Sequence, residues 1–369
     1  MKHIFLVHSP ITYLVSIAVI NELKIKKEDA IIIFFEFEQE AKNSIYTSVS
    51  VNKYYAKKGS FRKIYNYFRY FNIVTRIDRI VNATIKNNDF IAYVPALIST
   101  GKALITHPNC RSFNFIEEGL TNYFKEETLK SITIINLKDP WRTSFFKNIK
   151  TVFNEVYLVL RGYNFKLQAL PFSYSCYNTF KDVLFYGLSP ESFPLVDQWK
   201  KIVIPFKKAT FENIKGDDTI NLNDKIIWIG DAAVEQRGFD KSLYLKGIKE
   251  GCIDFFKARG EKNILIKFHR DETDDLREEV KKLFADHGVA FQIIPDSVIM
   301  ELLLFKARNV TLVGILSSLL FYASIMGHHS FSIYEFLKEE YSKKRTDRDL
   351  TFYWEKVKLI EPTVLDYSQ

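Results

Sequence analysis

Apolar runs of strand length alternate with amphipathic stretches of helix length along most of the chain. The opening reads as strand KHIFLVH, loop SPIT, helix YLVSIAVINELKI and strand AIIIFFEF. Short continuous apolar runs of this kind suit strands covered on both faces, and their alternation with helices predicts a parallel, doubly wound sheet. Further strands are predicted at DFIAYVPA, SFNFIEEG and EVYLVL, separated by basic amphipathic helices of which SFRKIYNYFRYFNIVTRIDRIV is the clearest. Residues 191–224 break the pattern with prolines and a polar patch, ENIKGDDTINLND, and read as a linker. A second series then runs unbroken: strand KIIWIG, a long helix to Gly260, strand NILIKFH, helix TDDLREEVKKLFADHG, strand AFQIIP, helix SVIMELLLFKA, strand VTLVG, helix SSLLFYASIMG and strand HSFSIY. The expectation is an α/β protein with two Rossmann-like lobes, residues 1–190 and 225–334, whose parallel sheets face an interdomain cleft. Residues 335–369 read as a charged helical tail that crosses back toward the first lobe.

The length of 369 residues suits two such lobes rather than one core. Apolar residues make up 47% and charged residues 26%, which excludes fibrous and long disordered classes. A net charge of +8 favours an anionic partner, yet the lysines are interleaved with acids along helices (KKEDA, REEVKK), as on solvated faces. A nucleic-acid groove is therefore not expected, whereas the basic run 343–348 suits peripheral contact with an anionic membrane. Two uncharged runs, 4–20 and 310–327, are broken by His8-Ser9-Pro10 and by Gly314 and read as strand, turn and helix, not as membrane spans. The first lacks a basic leader and a cleavage site, so it is not read as a signal peptide. Three scattered cysteines form no CxxC pair. They imply a reducing compartment and no zinc site, so a cytoplasmic protein is expected, peripheral on the inner membrane at most.

In an open parallel sheet, ligands bind outside the carboxyl ends of the strands, so polar residues just past strand ends carry the chemistry. His269 closes NILIKFH and is followed by Arg270. It could cap a helix, or it could donate to a phosphate oxygen and offset charge on a leaving group. Ser317 and Ser318 follow VTLVG, where serine caps helices without any ligand but also adds hydroxyls to an anion-binding helix start. Glu301, in the first turns of SVIMELLLFKA, is either ordinary helix electrostatics or a carboxylate for ribose hydroxyls. In the first lobe, Glu117, Glu118 and Gly119 end a strand. One carboxylate can face a cleft and the other hold the loop, while the glycine admits a substrate to the backbone. A cleft-facing carboxylate could take a proton from an attacking hydroxyl. Gly230 closes KIIWIG as a glycine that admits substrate, and Asp231 just beyond it offers a competing base or simply closes the loop, whereas His107-Pro108 reads as a turn.

This combination resembles the bacterial sialyltransferases of the two-lobed GT-B type, namely the lipooligosaccharide sialyltransferases and capsular polysialyltransferases. The matches are Glu117-Glu118-Gly119, His269 and Ser317-Ser318, in order; the proline those families carry after the histidine is Arg270 here. The resemblance implies inverting, metal-independent transfer of sialic acid from CMP-sialic acid to a sugar hydroxyl of a bacterial surface glycan, with no cofactor. It implies that His269 binds the CMP phosphate with Ser317 and Ser318, that Glu301 contacts the ribose, and that Glu117 is the general base. In the lipooligosaccharide enzymes the corresponding acid stands near Asp231. Two other readings stay open: the same fold with a different donor (CMP-Kdo, another nonulosonic acid, a UDP- or GDP-sugar), and a non-enzymatic anion-binding protein. The expected partners are thus a CMP-sugar donor and a glycan acceptor, with a homodimer left open.

Overall fold

The computed structural model describes residues 1–35, 44–51, 62–86, 88–95, 99–123, 156–164, 177–178, 180–204, 220–237, 239–260, 263–315, 317–334 and 364–366. The chain divides into two compact units, Met1–Ile214 and Lys215–Gln369.

Among the described residues the first unit carries seven strands: β1 (Lys2–Val7), β2 (Ala30–Phe35), β3 (Thr47–Val51), β4 (Phe90–Val94), β5 (Cys110–Ile116), β6 (Phe185–Gly187) and β7 (Lys201–Val203). They are all parallel, in the order β3-β2-β1-β4-β5-β6-β7. The order reverses direction between β1 and β4, the doubly wound pattern. Helix α1 (Pro10–Glu22) starts at once after β1, because Pro10 fixes a helical φ at the first turn and Ser9 Oγ accepts the Thr12 N–H at 3.1 Å. Every residue from Ile11 to Ile20 is buried, which explains why this helix carries no charge until its end. Helices α2 (Arg62–Ile85) and α3 (Ser99–Ile105) complete the described layers, with a core of Ile4, Leu6, Ile33, Val81, Ala92 and Phe115 among others.

The EVYLVL strand is not formed: residues 156–160 are helical. The apolar run imitates a strand, but only Leu158 is buried among its aliphatic residues; Val156, Val159 and Leu160 are exposed, a one-sided burial that suits a helix. This helical turn is fastened by Asp78 of α2, which accepts from Tyr163 Oη and pairs with Arg161, with His107 Nε2 at 3.5 Å. Burial, and then Arg161, lowers the His107 pKa against the opposing pull of Asp78. His107 itself lies in a turn, as its His-Pro sequence suggests. Asp78→Asn removes the charge shared by three partners and is expected to cost about 2 kcal/mol of stability in a denaturant titration. An unchanged unfolding midpoint would show that the cluster holds nothing.

The second unit carries β8 (Ile226–Ile229), β9 (Asn263–Lys267), β10 (Ala290–Ile293), β11 (Thr311–Gly314), β12 (His329–Ser332) and β13 (Val364–Asp366). Their order is β10-β9-β8-β11-β12-β13, again all parallel, with the reversal between β8 and β11. Helix α4 (Ala233–Arg237) follows β8. Helix α5 (Lys241–Gly247) runs through a π-helical stretch, Ile248–Ile253, into α6 (Asp254–Ala258). Helices α7 (Asp274–Asp286), α8 (Met300–Lys306) and α9 (Ser318–Ile325) cross between the later strands. Gly314 makes one close packing possible: a Cβ there would stand 2.9 Å from the Ile229 carbonyl and 3.6 Å from Leu320 of α9. The uncharged runs 4–20 and 310–327 are thus β1 with α1 and β11 with α9, and no helix among the described residues is long and apolar enough to cross a membrane.

Two segments differ from their sequence reading. Strand β7 lies within 191–224 and pairs with β6, because three residues at a sheet edge carry too little apolar pattern to stand out from a linker. In the tail, residues 364–366 are a strand beside β12; the rest of 335–369 lies outside the described residues.

Candidate active site

In the second sheet, Ile229 is level with Lys267 on one side and with Gly314 on the other. The loops that begin there carry Asp231, His269 and Ser317, two or three residues beyond their strand ends. Neighbouring strands lie about 4.8 Å apart, so the β9 and β11 loops flank the β8 loop across roughly 10 Å. The three residues therefore share one carboxyl edge at the point where the strand order reverses.

His269 is partly exposed, and its Nδ1 accepts the Asp271 N–H at 3.2 Å. That bond places the ring proton on Nε2, the donor an anion needs. Arg270 is exposed beside it, with Nε 3.9 Å from Asp271. Ser317 is the N-cap of α9, its Oγ accepting the Leu319 N–H at 3.3 Å, and Ser318 is the exposed first residue of the helix. Glu301 lies at the start of α8, and burial raises its pKa against the pull of Lys267. Lys267, which the sequence did not single out, donates to Pro295 O at 2.6 Å and Val298 O at 3.0 Å and so fixes the loop that leads into α8.

Gly230 does not open onto solvent. A Cβ there would stand 2.5 Å from Glu272 Oε2, so the glycine makes room for a buried carboxylate and leaves none for a substrate. Glu272 accepts the His269 N–H at 2.7 Å and the Tyr244 hydroxyl at 2.9 Å. Burial is the main reason that its pKa is pushed up to about 7; the two hydrogen bonds oppose the rise, and the nearby Glu235 and Asp231 add to it. Asp231 is itself buried, and its N–H points at the Tyr244 oxygen at 3.5 Å.

The first sheet presents a second polar edge. Along β5, Phe113, Phe115 and Glu117 share one side of the strand, and Glu117 continues that inward row. It is fully buried, with Oε1 accepting from Tyr123 Oη and Oε2 from the Leu188 N–H, both at 2.8 Å. Glu118 points the other way. Its Oε1 lies 2.8 Å from His8 Nε2 in the loop after β1, and its carbonyl accepts from Ser9 Oγ at 3.2 Å. Asn122 Oδ1 holds the turn through the N–H groups of Glu118 (2.6 Å) and Gly119 (3.3 Å). Among the described residues, chain neighbours aside, nothing lies within 4 Å of where a Gly119 Cβ would be, so these leave its backbone approachable. His8 was missed because a histidine between a strand and Ser-Pro reads as a break; only the fold shows that the β1 loop reaches Glu118 past the end of β4.

No protein-family model matches the chain, and no curated protein matches it in sequence. Among solved structures it is similar to a putative UDP-N-acetylglucosamine 2-epimerase from Listeria monocytogenes, with TM-score 0.53, 11% identity, and 98% of this chain and 92% of that one covered. It is also similar to a sialyltransferase from Photobacterium damsela (TM-score 0.51, 14% identity, 99% and 81% covered). A third is S. aureus MnaA solved with UDP (TM-score 0.50, 10% identity, 99% and 93% covered). At such identities the likeness is one of fold. With two successive α/β units, each on an open parallel sheet that reverses its strand order, the chain has the GT-B fold.

Proposed function

We propose that this chain is an inverting, metal-independent glycosyltransferase that moves sialic acid from CMP-sialic acid to a hydroxyl of a bacterial surface glycan, such as lipooligosaccharide or capsule. The observation that carries the reading is the level alignment of the ends of β9, β8 and β11, which gathers His269, Asp231 and Ser317 on one edge of the second sheet. There His269 donates Nε2–H to the phosphate, Arg270 adds positive charge, and Ser317 and Ser318 offer hydroxyls beside the N–H groups of α9. Glu301 faces the ribose. Cationic and N–H groups thus carry the leaving phosphate's charge without a metal ion, and transfer should persist in EDTA.

On the acceptor side, the geometry favours Glu118 over Glu117 as general base. Glu117 has no exposed surface and holds Tyr123 and Leu188, whereas Glu118 is partly exposed beside His8 and the open Gly119. In the reaction, the acceptor O–H proton passes to Glu118 and the acceptor oxygen bonds to the anomeric carbon from the face opposite CMP. The bond from that carbon to the phosphate oxygen breaks, and its electron pair leaves with CMP. Asp231 is the second candidate, set back by its burial.

Titration of CMP and UDP against the full chain tests the donor class. CMP should bind more tightly, and His269→Ala should weaken it by about tenfold, the value of one hydrogen bond to a charged group. Preference for UDP would reject the CMP donor while keeping the fold, and binding of neither would leave the non-enzymatic reading in its place.

A further inference from the structure

We infer that Glu272 is a positioning residue that fixes the His269 loop against β8, so that the two loops after β8 and β9 are set, together with Tyr244 of α5, by one buried carboxylate. It makes contacts in three directions. Oε2 accepts the backbone N–H of His269, Oε1 accepts the hydroxyl of Tyr244 from α5, and the whole carboxylate fills the space above Gly230. The Tyr244 oxygen in turn lies 3.5 Å from the N–H of Asp231, which ties the β8 loop to the same point.

The loop is gripped from its other side as well. The His269 carbonyl accepts the Glu272 N–H at 3.1 Å and an Arg277 Nη2–H at 2.8 Å, and Arg277 is anchored by Asp296 at 2.9 Å. Glu235, from α4, accepts the Thr273 N–H at 3.0 Å and its hydroxyl at 3.2 Å. With the backbone of His269 pinned on N–H and carbonyl, the imidazole has only its side-chain torsions left to set. The Asp271 N–H on Nδ1 then fixes the tautomer. A group that must meet a phosphate oxygen within a few tenths of an ångström gains most from such support.

The grip is insensitive to the protonation of Glu272. Ionised, the carboxylate accepts from both donors. Protonated, its carbonyl oxygen still accepts from His269 while its hydroxyl donates to the Tyr244 oxygen. Glutamine can reproduce the second arrangement, with its oxygen toward His269 and its NH2 toward Tyr244, whereas alanine can reproduce neither.

This role rests on the donor-site reading of the His269 loop, so the decisive measurement uses the protein alone. Backbone amide exchange at His269 should accelerate at least tenfold in Glu272→Ala and stay near the wild-type rate in Glu272→Gln. Gly230→Ala provides an approach from the opposite side, since its methyl would displace the carboxylate without deleting it, and it should release the same amide. With CMP present, Glu272→Ala and Gly230→Ala should bind it roughly tenfold more weakly, and Glu272→Gln should match the wild type. Unchanged His269 exchange in both Glu272→Ala and Gly230→Ala overturns the inference. Faster exchange in a protein that binds no CMP keeps the latch and rejects only the ligand.

Discussion

Glu118→Gln is expected to slow sugar transfer by roughly a hundredfold or more, because glutamine keeps the shape and cannot accept the acceptor's proton. The loss should fall on kcat, with CMP affinity unchanged, since Glu118 belongs to the first sheet and the phosphate groups to the second. Glu117→Gln should behave differently. Its NH2 would face either the Tyr123 hydroxyl or the Leu188 N–H, donor against donor, at a cost to stability of about 1–3 kcal/mol that a melting curve would register. His8→Gln should fall between, with a loss of about tenfold in rate from the contact that orients Glu118. A full loss of rate in Glu117→Gln at unchanged stability, with normal turnover in Glu118→Gln, would return the base to Glu117.

The second unit was the more legible half of the chain. Its strands β8 to β12 each lie inside a run read from the sequence, because β8, β9 and β11 are short apolar runs closed by a glycine or polar turn and the helical stretches between the strands are plain. In the first unit, β1, β2, β4 and β5 were equally plain. Strand β3, whose TSVSV is half polar, and the three-residue strands β6 and β7 were not, since they lie toward one edge or the other of the sheet. The helical turn at 156–160 shows the remaining weakness: a short apolar run has no period, and only the exposure of Val156, Val159 and Leu160 distinguishes helix from strand.

Position along the sheet edge was readable too, because a residue two or three past a strand end must emerge there. Which way a side chain then turns depended on partners distant in sequence. The inward direction of Glu117 could have been read from the row Phe113, Phe115, Glu117, but its partner N–H belongs to Leu188, 71 residues on. Gly230 looked like a glycine that admits a ligand. Its meaning depends on Glu272, a residue that reads as one more acid before a helix and whose second partner, Tyr244, is 28 residues earlier.

Glu272 also gives the fold a pH dependence of defined sign. Its pKa rises from the usual 4.5 to about 7 in the folded protein, so between those values the native state holds a proton that the unfolded chain has released. Stability is then greatest below about pH 4.5 as far as this group is concerned, and declines as pH rises through 7. The full shift corresponds to about 3 kcal/mol. Burial is the main reason the charge is unwelcome; Tyr244 and the His269 N–H compensate only in part, and the acids Glu235 and Asp231 add to it. Glu272→Gln removes the titration and keeps the hydrogen bonds, so mutant and wild type should unfold alike near pH 5. At pH 8 the mutant should be the more stable, by roughly 6–12 °C in the unfolding of the second unit. A wild-type melting profile parallel to that of Glu272→Gln from pH 5 to pH 8 would mean that the carboxyl is ionised throughout, and that its neighbours hold it as an ordinary anion.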